Sequence, residues 1–156
     1  MATGCICPIL RRAKLFGVIG LEKSFNQTVD IFKIDVMKQI VYGKALVPNK
    51  EDLQEDIVSK QDIENAAHNF LINIQKAYQE LFSNGVQKTK ASEIGLMHRV
   101  FKGIGGFGYI VESYIDDEGS WVVGTKITDS AVWKMVLDKK ITGYSIGGKG
   151  IRIPVE

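Results

Sequence analysis

The chain has 156 residues, of which 45% are hydrophobic and 24% are charged, and its formal net charge is +2. This length is sufficient to bury the core of one compact domain, and the composition excludes disordered and fibrous classes. Because basic and acidic residues are interleaved and nearly balanced, we expect no nucleic-acid partner. No stretch reaches the roughly 18–20 apolar residues that span a bilayer, so we expect no membrane partner.

The two cysteines, Cys5 and Cys7, lie close together near the N-terminus. No second pair of Cys or His residues follows at a spacing typical of zinc ligands. We therefore interpret both cysteines as free thiols of a cytosolic protein, and we expect neither a metal nor another cofactor.

The N-terminal part of the chain, residues 1–28, shows little periodicity, and we interpret it as a loosely ordered arm ahead of a single domain at residues 29–156. Two strands are predicted at the start of that domain, at residues 29–34 and 39–47. Both are rich in β-branched and aromatic residues, and the second ends at Pro48. We expect them to pair as neighbours.

A long helix is predicted next. Ser59 and Asp62 form a Ser-x-x-Asp start signal, and Asn84-Gly85 supplies a stop. The apolar residues between them recur every three or four positions, as on one face of a helix: Ile63, Ala66, Ala67, Phe70, Leu71, Ile74, Ala77, Tyr78, Leu81 and Phe82.

The second half of the chain consists of short apolar runs separated by glycines. Asp116-Asp117-Glu118-Gly119 predicts a hairpin turn, and Thr128-Asp129-Ser130 can cap a short helix that continues to Lys139. The apolar runs occupy residues 94–101, 107–115, 121–127, 142–146 and 151–155. Together with the two helices they predict an α+β fold, a mostly antiparallel sheet or small barrel with two helices packed on it.

Only two histidines are present, so a mechanism that depends on histidine has two candidates. His68 lies at the edge of the apolar stripe of the long helix, where a surface role is expected. His98 follows a short apolar run and precedes the glycine-rich segment 103–108. On its own, a histidine in such a setting is more often structural than catalytic.

Ser145 lies in the segment Gly143-Tyr144-Ser145-Ile146-Gly147-Gly148. Flanking glycines let the backbone turn tightly and bring main-chain N–H groups close to an oxyanion. The segment matches the G-x-S-x-G pattern of α/β-hydrolases, but those enzymes place an acid and then a histidine after the serine. Residues 146–156 contain no histidine, so we do not expect an enzyme of that class. A lone serine of this kind is more often part of a structural turn.

The order of motifs from His98 to Ser145 resembles that of the phage prohead proteases. It comprises a histidine after an apolar run, Val111-Glu112-Ser113, the acidic turn, Trp121-Val122-Val123, a short helix and the Gly-aromatic-Ser-hydrophobic-Gly-Gly segment. The resemblance is closest to the XkdF-like branch, and upstream segments extend it over about residues 31–150.

The resemblance implies a herpesvirus-protease-like fold, a small and mostly antiparallel β-barrel flanked by helices. It also implies a serine endopeptidase that cleaves scaffold protein, the major capsid protein or itself during prohead maturation. In that interpretation His98 is the general base and Ser145 the nucleophile, and backbone donors at Gly147 and Gly148 bind the oxyanion. The protein would oligomerise within the prohead, in the host cytoplasm.

The third catalytic member is left open by the sequence. Glu112 is the candidate for orienting His98, because it belongs to the matching Val-Glu-Ser segment. A solvated strand carboxylate is the alternative interpretation of that residue. Asp116, Asp117 and Glu156 also remain, as does a working dyad of His98 and Ser145.

Two other functions are compatible with the sequence. The first is an inactive capsid-assembly factor that retains the protease fold, which would not react with a serine-directed fluorophosphonate. The second is a small RNA-binding module, suggested by the strands and aromatic residues. The small net charge argues against the second.

Overall fold

The computed structural model describes residues 4–8, 22–51, 56–84, 94–96 and 106–151. Seven strands and two helices fall in these ranges. In chain order they are β1 (Gly4–Pro8), β2 (Glu22–Asp35), β3 (Ile40–Leu46), α1 (Lys60–Asn84), β4 (Ile94–Leu96), β5 (Gly108–Ile115), β6 (Trp121–Ile127), α2 (Ser130–Leu137) and β7 (Ile141–Ile151).

The described strands form one sheet in the order β4-β1-β7-β2-β3-β6-β5. Neighbours are antiparallel throughout, except for the parallel pair β1 and β7. The predicted α+β class and the mostly antiparallel sheet with two helices are therefore confirmed.

The long strand β2 is shared between the two halves of the sheet. Residues 22–30 pair with β7, whereas Ile31–Asp35 pair with β3. The register with β3 shifts between Ile31 and Lys33, which marks a bulge at Phe32. Because a bulge bends its strand and increases the local twist, β2 changes direction where it changes partner.

Tyr144 spans this bend from β7 to β3. Its side chain is fully buried, and its hydroxyl donates a hydrogen bond of 2.8 Å to the carbonyl oxygen of Val41. The ring lies against Gly43, where an added Cβ would come within 2.3 Å of Tyr144 Cδ2. In a flat sheet, β7 and β3 would be about 10 Å apart on either side of β2. One side chain links them because the sheet curls.

Both helices pack on the concave face of the curled sheet. α1 buries Ile63, Ala66, Ala67 and Phe70 against Ala45, Leu46, Trp121 and Val123. α2 buries Val132, Trp133 and Val136 against Val41, Ile127, Ile141 and Tyr144. Trp121, Val123 and Ile127 occupy alternate positions of β6, so the two clusters belong to the same face of the sheet.

The start of each helix follows its predicted capping signal. Ser59 Oγ accepts a hydrogen bond from the Asp62 amide at 3.2 Å and donates one to Asp62 Oδ2 at 2.7 Å. Asp129 is the N-cap of α2, and its carboxylate accepts hydrogen bonds from the amides of Ala131 and Val132. Such caps satisfy helix N–H groups that have no partner within the helix.

The structure also refines several predictions. The predicted pairing of the first two strands, the 116–119 turn and the short helix are confirmed. Phe82, assigned to the apolar stripe of α1, is 85% exposed. The apolar run at 142–146 lies within β7, which continues to Ile151, and most of the run at 151–155 lies outside the described residues.

The predicted N-terminal arm contains strand structure where it is described. Within residues 1–28, Gly4–Pro8 pairs with β4 and β7, and β2 begins at Glu22. The division into an arm and a domain at residue 29 stays a prediction.

The close contact between Gly43 and Tyr144 yields a prediction about stability. Gly43→Ala should lower the free energy of unfolding by about 1–3 kcal/mol, because the new methyl group overpacks the ring of Tyr144. Urea denaturation monitored by tryptophan fluorescence would measure the change. Lys44→Ala, one position along β3, is the matched control and should cost less than about 1 kcal/mol because it removes only partly exposed ion pairs. A Gly43→Ala protein as stable as the wild type would contradict the packing described here.

Candidate active site

Ser145 lies in the middle of β7 rather than at a turn. It pairs with Thr28 of β2 and directly follows the buried Tyr144. The expectation that the flanking glycines make a tight turn is therefore wrong, because Gly143, Gly147 and Gly148 are all paired residues of the strand. In this respect the site also differs from the strand-to-helix elbow of α/β-hydrolases.

The two glycines proposed as oxyanion donors are successive residues of the same strand. Gly147 pairs with Asn26, and Gly148 pairs with Phe25. Successive N–H groups of a regular strand point to opposite edges. Only one of the two amides can therefore point away from β2, towards the edge of β7 that pairs with β1 at residues 141–144.

His98 lies outside the described residues. The strand that precedes it in the sequence, β4, ends at Leu96. A single strand, β1, separates β4 from β7. Leu96 and Tyr144 both pair with Ile6, so they occupy the same row across the sheet. The fold thus brings the strand before His98 into line with the residue before Ser145.

Glu112 is exposed on β5, at the opposite outer edge of the described sheet from β4. Its Oε1 accepts a 2.7 Å hydrogen bond from the hydroxyl of Tyr42 on β3. The ring of Tyr42 crosses Gly124, where an added Cβ would lie 2.9 Å from Tyr42 Cε1 and 3.0 Å from Glu112 Cβ. β5 is four strands away from β7, or about 19 Å measured across a sheet.

The environment of Tyr42 stabilises its protonated form. The hydrogen bond to Glu112, together with burial, raises the pKa of Tyr42 to about 12. Lys33 Nζ lies 4.6 Å from the centre of the Tyr42 ring, in the position of a cation–π contact. The phenol of Tyr42 is therefore a donor to Glu112 at neutral pH.

Strand alternation shows which face of the sheet position 145 shares with Tyr42 and Glu112. Tyr144 belongs to the face covered by the helices, so position 145 belongs to the other face. Tyr42 is likewise next to Val41, which contacts the helix-side cluster. Tyr42 pairs with Gly124 and Gly124 with Glu112, which places all three on one face. Positions 145, 42 and 112 thus share the face opposite α1 and α2.

The remaining acidic candidates for the third catalytic residue are found elsewhere in the chain. Asp116 organises the hairpin: it accepts hydrogen bonds from the amides of Glu118 and Ser120 and forms a 3.0 Å ion pair with Lys44. Burial alone would raise the pKa of Asp116, but the hydrogen bonds from Lys44 and Ser120 outweigh it and lower the pKa. Asp117 is exposed in the same turn, and Glu156 lies outside the described residues.

The second histidine, His68, is exposed on α1, as predicted. Within the described ranges, no group of three or more His, Cys, Asp or Glu residues could hold a metal ion. None of the described helices is long and apolar enough to cross a membrane.

Two tyrosines were missed by the sequence analysis. Tyr42 holds Glu112, and Tyr144 anchors the strand that carries Ser145. Both contacts join residues 70 or more positions apart, so no local pattern identifies them. The only available signal was the position of an aromatic residue directly before the candidate serine.

Comparison with known proteins gives a match over most of the chain. Residues 28–154 match the family described as "Putative phage serine protease XkdF". The chain is 31% identical over 168 aligned residues to the "Phage-like element PBSX protein XkdF" of Bacillus subtilis (strain 168), covering 89% of this chain and 54% of that protein. It is also 31% identical over 149 residues to the "Uncharacterized protein YqbD" of the same organism, covering 86% of this chain and 40% of that protein.

The chain thus spans about half or less of the length of these two relatives. No solved structure matches it. The family match includes Ser145, His98 and Glu112, and it agrees with the resemblance found in the motif order. The chain therefore belongs to the XkdF family of putative phage serine proteases.

Proposed function

We propose that this protein is a serine endopeptidase that cleaves scaffold protein, the major capsid protein or its own chain during prohead maturation. The observation that carries the proposal is the family match over residues 28–154, which includes the complete segment from His98 to Ser145. The placement of β4 and β7 with a single strand between them is compatible with a histidine and a serine acting together. The work would take place inside the assembling prohead in the host cytoplasm, where the protein oligomerises.

In the proposed mechanism, His98 accepts the proton of the Ser145 hydroxyl as the oxygen attacks the scissile carbonyl carbon. The carbonyl π electrons move to the oxygen, and a backbone amide at Gly147 or Gly148 stabilises this oxyanion. Collapse of the intermediate breaks the C–N bond, and His98 returns the proton to the leaving amine. Water then hydrolyses the acyl-enzyme by the same steps.

The role of Glu112 depends on how the sheet closes. β4 and β5 are the two outer strands of the described sheet, and β5 is far from β7 when measured across the strands between them. The resemblance to herpesvirus proteases implies a closed barrel, and closure would bring these outer strands together. Only that arrangement lets a carboxylate on β5 orient a histidine that follows β4.

The serine assignment is tested by Ser145→Ala. Loss of a nucleophile commonly costs on the order of 10⁶ in rate, so cleavage should fall below detection. The variant is co-expressed with the capsid and scaffold proteins, and intact-mass analysis follows their processing. In parallel, a fluorophosphonate should label the wild type and not the variant. Capsid cleavage at the wild-type rate would reject Ser145 as the nucleophile. An unlabelled and inactive wild type would favour the inactive assembly factor.

The histidine assignment is tested by comparing two substitutions. His98→Ala should reduce cleavage nearly as much as Ser145→Ala, whereas His68→Ala should stay within a few-fold of wild type because His68 is exposed on α1. Wild-type activity should also rise with pH around 6.5, since only neutral imidazole accepts the serine proton. A requirement for His68 and not for His98 would place the active site elsewhere.

The role of Glu112 is tested by comparing Glu112→Gln with Tyr42→Phe. Tyr42→Phe removes the donor of the hydrogen bond and keeps the carboxylate, whereas Glu112→Gln removes the negative charge but leaves an amide oxygen that can still accept from Tyr42. If Glu112 orients His98, cleavage slows in Glu112→Gln and stays normal in Tyr42→Phe. Equal activity of both variants and the wild type would remove Glu112 from the mechanism.

Glu112→Gln and Tyr42→Phe also test the contact between Glu112 and Tyr42, independently of catalysis. Because the native state raises the pKa of Tyr42 from 10.0 to about 12, the bond's contribution to stability is complete below pH 10 and is lost as the pH rises towards 12. Wild-type stability should therefore fall more steeply over this range than that of Tyr42→Phe. In Glu112→Gln, ultraviolet titration should show the Tyr42 midpoint shifted downwards. An unshifted midpoint would contradict the observed contact.

A further inference from the structure

Tyr144, the residue before the candidate nucleophile, is held by contacts with several strands. Its side chain is fully buried, its hydroxyl is bonded to Val41 of β3, and its ring is packed against Gly43. Its backbone pairs with Val29 on one side and with Ile6 on the other. The residue is therefore fixed by two neighbouring strands and by a third strand beyond β2.

The strand that carries Tyr144 is rich in glycine. Glycines occupy positions 143, 147, 148 and 150 of β7. Glycine has no side chain to pack and the greatest backbone freedom of any residue, so it weakens a strand interior. Ser145 shares a peptide unit with Tyr144, so contacts that hold the tyrosine also restrain the backbone of the serine.

The rate of a nucleophilic attack depends strongly on where the nucleophile is held. Catalytic groups need to be held within about 0.5 Å of the productive geometry, and a misplacement of about 1 Å can cost about a hundred-fold in rate. A strand rich in glycine does not provide this precision by itself. An anchored side chain on the opposite face, one residue away, does.

We propose that Tyr144 is a positioning residue for Ser145: its anchorage to Val41 and Gly43 of β3 fixes the backbone of β7 from which the serine attacks. This inference rests on the proposed function, because it assumes that Ser145 is the nucleophile. Tyr144 touches no reacting atom, and it acts only through the peptide unit that it shares with Ser145. The same contact that curls the sheet thereby sets the geometry of the active site.

The test compares variants of the full chain by the kinetics of fluorophosphonate labelling. Tyr144→Phe keeps the ring and removes only the hydrogen bond to Val41. Gly43→Ala is a second disturbance of a different kind, because its methyl group would clash with the ring and leave the hydroxyl in place. Trp121→Phe is the control, since Trp121 belongs to the cluster around α1, away from β7, and the substitution removes its part-buried hydrogen bond of 2.9 Å to Ser113. Ser145→Ala gives the background.

Positioning predicts a specific kinetic change. The maximal rate of labelling should fall about ten-fold in Tyr144→Phe and Gly43→Ala, as expected for a displacement smaller than 1 Å. The concentration of reagent that gives half the maximal rate should not change, and neither should the pH midpoint, because His98 and the binding surface are left intact. Trp121→Phe should label at the wild-type rate at a temperature where every variant is folded.

The outcomes separate this inference from the proposed function. A wild type that is labelled no more than Ser145→Ala would overturn both. A labelled wild type with unchanged rates in Tyr144→Phe and Gly43→Ala would overturn the positioning role and leave Ser145 as the nucleophile. An equal loss of rate in Trp121→Phe would do the same, since general destabilisation would then explain the effect. Slow labelling confined to the two Tyr144-directed variants supports the inference.

Discussion

The hydrogen bond from Tyr144 to the Val41 carbonyl links the two halves of the sheet, and much of the fold follows from it. β2 pairs with β7 along one half of its length and with β3 along the other. This arrangement alone permits many angles between the halves. The buried phenol selects one of them, because it must satisfy its hydroxyl while its ring fits the space left by Gly43. Burial also raises the pKa of Tyr144, so the phenol remains a donor under all ordinary conditions.

The two faces of the curled sheet carry different kinds of residues. The concave face carries α1 and α2 and almost all of the large apolar side chains that the structure describes as buried. The opposite face carries Tyr42, Glu112 and Lys33, joined by a hydrogen bond and a cation–π contact. Position 145 belongs to this second face by strand alternation. Chemistry on that face is separated from the core by a single layer of backbone, so core packing can fix the geometry of a site without covering it.

The parts of the fold that could be predicted from sequence are those determined by local patterns. The apolar spacing from Ile63 to Ala77 determines α1, and the capping residues Ser59 and Asp129 determine where the helices begin. The β2–β3 pair and the 116–119 hairpin follow from β-branched runs and turn residues. Glu22–Thr28 could not be predicted in the same way, since Phe25 is the only large apolar residue in this polar segment. It is a strand because the glycine-rich half of β7 pairs with it.

The candidate site, too, could be predicted from the sequence only in part. The motif order identifies Ser145 and His98 as a pair, but residue spacing cannot show which strands lie between them. The strand order supplies that information: one strand separates β4 from β7, whereas β5 lies at the far edge.

Glu112 on β5 is therefore too far from Ser145 and His98 to act with them when the distance is measured across the strands of the sheet. It can do so only if the two outer strands meet, and in that case the carboxylate would have to serve His98 while also accepting the hydrogen bond of Tyr42. A carboxylate has two oxygens with several acceptor positions, and Tyr42 uses one of them, so the two roles are chemically compatible. Closure of the sheet, rather than the chemistry of Glu112, is thus the condition on which a catalytic triad that includes Glu112 depends.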